Sequence, residues 1–184
     1  MADATAPETF AAPRLRALER TDLPFVHGLF NDPDVMRYWF EPAHATLTDL
    51  EESFTQQRGS DRERRFIVES AGRRVGLVEL VYIDYVHRNC EFQIIIAPGE
   101  QGRGYAGAAT RAALDFAFTA LNLHKVFLLV DTENAAAIHV YEKSGFTVEG
   151  VLVQEFFAGG AYRDATRMGI FQADYLAAKA DRVG

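Results

Sequence analysis

Residues 91–131 read "EFQIIIAPGEQGRGYAGAATRAALDFAFTALNLHKVFLLVD": an apolar run, a glycine turn, an alanine-rich stretch and a second apolar run. The runs are too far apart for a hairpin and are separated by a helical pattern, so they pair in parallel through a crossover. Such a crossover is expected to be right-handed. The first run closes on three isoleucines, the composition of a strand covered on both faces, and Pro98 ends it. In the stretch from about 104 to 121, Ala109, Ala113, Phe116, Ala117 and Ala120 recur at helical spacing.

The flanking sequence fixes what surrounds this unit. "RLRAL" alternates as a strand does. "TDLPFVHGLF" and "DPDVMRYWF" then open helices at Thr21 and at Asp32-Pro33, and "TDLEESFTQQ" offers a capping box from Thr48 to Glu51. "RRFIVESAGRRVGLVELVYID" is two β-rich runs about a turn at Ala71-Gly72. "NAAAIHVYEKSGF" is a helix with Gly145 just beyond its end, and "TVEGVLVQEFFAGGAYRDATRMGIF" is a second hairpin. The order β-α-α-β-β-β-α-β-α-β-β predicts an α/β fold of α+β character, a mixed sheet flanked by helices. One domain over 14–176 is expected, with tails at 1–13 and 177–184.

The composition narrows the partners. With 19 basic and 26 acidic residues the formal net charge is -7, which argues against nucleic acid. That balance suits a cationic ligand and equally suits plain solubility. Cys90 is the single cysteine, so no intrachain disulfide exists. No apolar run approaches the roughly 18 residues that cross a bilayer, and "MADATAPETFAAP" has no signal-peptide pattern. A cytoplasmic location without membrane partners is the expectation.

The glycine turn can be read in two ways. "GRGYAG" fits G-x-G-x-x-G, the dinucleotide fingerprint. However, five residues (97–101) separate the strand from its first glycine, and the chain lacks the repeated halves of a doubly wound fold. The better match is Q-x-x-G-x-A, formed by Gln101, Gly104 and Ala106, which resembles the acyl-CoA motif of the GNAT N-acetyltransferases. Gly102 and Gly104 can take positive φ and let phosphates approach the backbone. Arg103 either adds charge at the rim or faces solvent. In the next segment Asn134 and Tyr141 are seven residues apart, on one helical stripe, and alanines 135–137 leave room for a pantetheine arm.

The blocks "MRYWFE", "RRFIVE", "GLVELV", "EFQIII", "TALNLHKV" and "EFFAGGAYRDATRMGIF" narrow the resemblance to the bacterial spermidine N-acetyltransferases, over about residues 15–176. The resemblance implies direct acetyl transfer from acetyl-CoA to a primary amine of spermidine or spermine, with no metal. It assigns Tyr141 as the acid that protonates the departing thiolate, and the backbone of Ile94, Ile95 and Ile96 as the pantetheine rail. Tyr105, Gly107 and Lys143 complete the implied cofactor set. Glu91 is the candidate to grip the amine and accept its proton; Glu41 and Asp49 are candidate amine-binding acids. His87 and His139 are alternative bases, with structural roles the commoner reading.

The sequence also departs from that family. Pro42, Ala43 and Ala45 follow Glu41 where further acids are usual, Tyr82 replaces an acidic residue, and "QQRGSD" lacks a histidine-bearing stretch. In the family that the chain resembles, those positions belong to a regulatory polyamine site between subunits. The homo-oligomer, a dodecamer by resemblance, is therefore an expectation separate from the catalytic one. Other readings are an acetyltransferase for a different amine and a non-catalytic acyl-CoA or polyamine sensor.

Overall fold

The structure, a computed structural model, describes residues 12–57 and 59–181. The expected N-terminal tail thus lies outside the described residues up to position 11. Seven strands form one sheet in the order β1-β2-β3-β4-β5-β7-β6. They are β1 (Arg14–Ala17), β2 (Arg64–Ser70), β3 (Arg73–Asp84), β4 (Asn89–Ile96), β5 (Lys125–Asp131), β6 (Thr147–Ala158) and β7 (Ala161–Phe171). The helices are α1 (Leu23–Phe30), α2 (Pro33–Met36), α3 (Leu47–Gln56), α4 (Tyr105–Asp115), α5 (Ala135–Lys143) and α6 (Gln172–Asp181).

All neighbouring strands are antiparallel except β4 and β5, which are parallel as the strand–helix–strand pattern predicts. The parallel pairing is short. It joins Asn89 to Lys125, Cys90 to Val126 and Glu91 to Phe127, and stops there. β4 goes on pairing with β3 as far as Ile96, and β5 with β7 as far as Asp131. The sheet therefore opens into a wedge just after Glu91, with the β5-facing edge of Phe92–Ile96 unpaired by any strand.

The main core fills the space between the sheet and α4. Ala109, Ala113 and Ala117 are fully buried against residues such as Val78, Leu80, Phe92 and Val126. Small side chains at helical spacing let the helix lie close on the strands. Beyond Asp115 the expected α-helical register gives way to a π-helical turn, Phe116–Ala120. The wider turn rotates the face: Phe118 goes into the core while Ala120, expected on the apolar stripe, is exposed. On the opposite side α1 packs Val26 and Leu29 on Ile67, Leu77 and Ile95.

Two helix starts differ from the sequence expectation. At the first, Thr21 is not the cap: a 3-10 turn spans Arg20–Asp22, closed by a reciprocal Glu19–Asp22 capping box. Asp22 is drawn inward because Arg16 and Arg74 both pair with its carboxylate, at 2.7 and 2.6 Å. At the third helix the cap is Thr46 rather than Thr48; its hydroxyl accepts the Asp49 N–H at 3.0 Å. The sequence holds two overlapping Thr-x-x-acid frames, and the earlier one is used. Asp32 does cap α2, accepting from Asp34 and Val35. The turn at Ala71-Gly72 is as expected, with φ of 49° and 75°, the positive pair that matches hairpin twist.

The chain expected to trail from 177 is helical as far as Asp181. α6 is held by Tyr175, buried on Phe118, whose hydroxyl donates to the Arg111 carbonyl at 3.3 Å. Lys179 pairs with Asp115 on the same side.

Candidate active site

The wedge between β4 and β5 opens into a cleft of about 990 Å³. Each of its walls follows from a local sequence choice. One wall is the turn before α4, where Gly102 has φ 75° and Gly104 has φ 81°. Gly104 is the left-handed residue at the helix start, so the chain turns sharply and the first-turn N–H groups face outward. Those N–H groups and the positive end of the helix dipole suit phosphate. Gln101 braces the turn by donating from Nε2 to the Ile96 carbonyl at 3.3 Å.

A second wall is the free edge of β4 at Ile94, Ile95 and Ile96, an unpaired rail for an extended amide-bearing chain. α5 forms the third. Asn134 caps it, its side-chain oxygen accepting the Ala137 N–H at 3.1 Å. That leaves the Asn134 amide nitrogen available to a ligand. Ala136, Ala137 and Tyr141 share the cleft-facing stripe. The shape and chemistry fit acetyl-CoA: an anion cradle, then a backbone rail, then a reactive end beside Tyr141.

Tyr141 is half-buried, its ring edge-on to Phe92 and Phe146 at centroid distances of 6.2 and 5.9 Å. Burial pushes its phenol up to about 12, so the hydroxyl holds its proton at neutral pH, as a general acid requires. No side chain among the described residues hydrogen-bonds that hydroxyl. Glu91 lies on β4 at the apex of the wedge, one carboxylate oxygen accepting from Gln93 at 2.9 Å.

Of the residues singled out from sequence, the cleft brings together Glu41, Glu91, Ile94–Ile96, Gln101, Gly102, Gly104–Gly107, Asn134, Tyr141 and Lys143. Tyr105 contributes from the core side, only 4% exposed. Arg103 and Asp49 do not line it. Arg103 pairs with Glu100 at 3.5 Å, and Asp49 sits exposed in the first turn of α3. His139 lines the cleft and His87 does not.

Among the cleft acids that the sequence reading did not name, Glu79 and Glu63 stand together. Glu79, 5% exposed on β3, has its carboxyl pushed up, first by burial and further by the carboxylates of Glu63 and Glu41, against Arg65. Arg65 Nε stands 2.7 Å from Glu79 but off the donor axis, without a hydrogen-bond partner among the described residues. Glu63 flanks the same guanidinium at 3.2 Å. The visible signal was a lone glutamate inside the apolar run "GLVELV", since a charge there must find a partner.

Comparison with known proteins shows the family. The acetyltransferase (GNAT) domain model matches residues 14–147. The chain belongs to the GNAT acetyltransferase family. Among its GNAT relatives, spermidine N(1)-acetyltransferase of Escherichia coli (strain K12) is 53% identical over 164 residues, covering 89% of this chain and 88% of that one. The Vibrio cholerae enzyme of the same name is 52% identical, covering 88% of this chain and 94% of its own. The crystal structure of spermidine N-acetyltransferase from Vibrio cholerae with CoA and spermine superposes with a TM-score of 0.88 at 51% identity, over 90% of this chain and 98% of that one. As a GNAT acetyltransferase the chain uses acetyl-CoA. Among the described residues no cluster of His, Cys, Asp and Glu is arranged to hold a metal ion, and no helix is long and apolar enough to cross a membrane.

Proposed function

We propose that this GNAT acetyltransferase moves the acetyl group of acetyl-CoA directly onto a primary amine of spermidine or spermine. The observation that carries the reading is the meeting of a proton-holding phenol and an acid-lined mouth in one cleft behind an anion-cradling turn. The identity to spermidine N-acetyltransferases, above half over most of the chain, supports the substrate class.

In this reading the chain's residues divide the work. The turn from Gln101 to Gly107 holds the pyrophosphate, with Lys143 beside it, and the β4 edge aligns the pantetheine. Glu91 attracts the ammonium and takes its proton, so that the nitrogen lone pair can attack the thioester carbon. Tyr141 donates its phenolic proton to the sulfur as the carbon–sulfur bond breaks. Glu41 binds a distal positive charge at the mouth. Attack leaves the nitrogen cationic, and as the amide forms its second proton passes, through water, to the Tyr141 phenolate, so only the proton held at Glu91 is released to solvent.

Thiol release from acetyl-CoA tests this, with spermidine, spermine, a panel of unrelated amines and a blank lacking amine. Turnover with the polyamines well above the panel supports it; turnover only with another amine overturns the substrate. That second reading has its own observation: Tyr82, 72% exposed, stands at the mouth, and no acid follows Glu41 at 42, 43 or 45. We also read the enzyme as a cytoplasmic homo-oligomer. Support comes from the β6–β7 hairpin, whose Val151, Val153, Phe157 and Tyr162 are at least half exposed. Light scattering at working concentration reads the assembly directly.

A further inference from the structure

Glu91 and Gln93 are two residues apart on β4, so their side chains leave the same face of the sheet, and both line the cleft. Gln93 Nε2 donates to Glu91 Oε1 at 2.9 Å. A carboxylate only accepts, so the amide must offer its NH2 end to Glu91. Neither residue is free to drift, because both are half-buried and β4 is locked to β3 through this stretch.

The register explains why an amide stands here. Gln93 pairs across the sheet with Glu79, and Glu79 in turn with Arg65. The row therefore runs from a guanidinium through a buried carboxyl to a neutral amide, and then to Glu91. A second anion at 93 would sit beside two carboxylates. A hydrocarbon there would leave Glu91 with no partner among the described residues. Only a neutral donor both separates the two acids and holds one of them.

We propose that Gln93 is a positioning residue for acetyl transfer: by fixing Oε1 of Glu91 it presents Oε2 to the incoming amine. The proposal rests on the reading of Glu91 as the group that receives the amine proton. The proton leaves the ammonium nitrogen and is bound at Oε2, directly or across one water. Gln93 exchanges no proton. Its contribution is orientation, which acts on kcat rather than on cofactor affinity.

The test is a double-mutant cycle in the full-length enzyme: Gln93→Met, Glu91→Gln and both together, with kcat and both KM values measured. Gln93→Met keeps the side chain's length and removes its donor. A hydrogen bond to a charged group at this position is worth roughly 10- to 100-fold in rate. The expected result is a fall of that size in kcat for Gln93→Met, with unchanged CoA affinity and unfolding midpoint. The pair should be no slower than Glu91→Gln alone, since without Glu91 there is nothing to orient. If Glu91→Gln is slow while Gln93→Met keeps full kcat, Gln93 does not position it and only this inference falls. Multiplying losses in the pair would show independent roles and overturn it too. Full kcat in Glu91→Gln would instead remove the underlying reading of Glu91. Should Gln93→Met lower the unfolding midpoint, Gln93→Leu, likewise neutral and without a donor, repeats the readout at a temperature well below that midpoint.

Discussion

The Tyr141 ring meets Phe92 edge-on, at 6.2 Å between centroids and 87° between planes. Phe92 belongs to β4 immediately after the strand parts from β5, so the packing ties the proposed acid to the apex of the wedge. The same aromatic surroundings push the phenol up to about 12. Tyr141→Phe should keep the ring packing and CoA binding while kcat falls roughly 10²–10⁴-fold. Stopped or steady-state thiol release reads this; full turnover would remove Tyr141 from the chemistry.

Alkaline stability follows from the same shift. An unfolded tyrosine titrates near pH 10, whereas the folded Tyr141 holds its proton to about 12. The unfolded chain therefore gains by ionising first. The contribution of the buried phenol is fully present below about pH 10 and is lost as the pH rises towards 12. Urea midpoints of wild type and Tyr141→Phe should run parallel to about pH 9.5, with wild type falling faster above it.

Gly104 lies in the turn before α4, the phosphate-facing wall of the cleft. Its φ of 81° starts α4 in the left-handed region, where a Cβ costs about 1–2 kcal/mol. Gly104→Ala should raise KM for acetyl-CoA about tenfold or more through a displaced turn. KM for the amine should move little. Equal loss in both constants would mean that the turn holds the whole cleft rather than the phosphates.

What the sequence disclosed depended on range. The glycine turn was readable because positive φ and a helix start are decided by adjacent residues. The β4–α4–β5 crossover was readable because two apolar runs with a helix between them have one good arrangement. By contrast, the Arg65–Glu79–Gln93 row depends on the register of three strands, which no local pattern specifies. The two threonine frames at 46 and 48 are locally near-equal, so packing chose between them. Nor does anything in "FAFTA" distinguish a π-turn from an α-turn; burial of Phe118 on Tyr175 does.

Gly76 on β3 stands opposite Ile96 of the cofactor rail. A Cβ built there would clash with the Ile95 carbonyl oxygen, at the end of the β3–β4 ladder. Backbone cannot rotate away as a side chain can. Gly76→Ala should therefore cost about 1–3 kcal/mol in urea unfolding and weaken CoA binding by shifting Ile95. The pair of effects is diagnostic: lost stability with unchanged CoA affinity would show that the strain is absorbed on the β2 side.

Asp22 provides the acid-side counterpart, remote from the cleft. It is fully buried and paired with Arg16 and Arg74, and Arg16's hydrogen bond, more than any other contact, holds its carboxyl far below the usual range. A depressed folded value means that the stabilisation is present above the unfolded value near pH 4 and is lost as the pH falls further. Asp22→Asn leaves two guanidiniums without their shared anion and should cost on the order of 3 kcal/mol at pH 7. Because both arginines keep some solvent access, the loss should shrink with salt. Between pH 4 and pH 2 the wild-type midpoint should fall towards that of the variant, and chemical denaturation across that range checks it. A constant gap down to pH 2 would mean that Asp22 stabilises the entry to α1 through its capping-box hydrogen bond to Glu19, which survives in Asn, and not through charge.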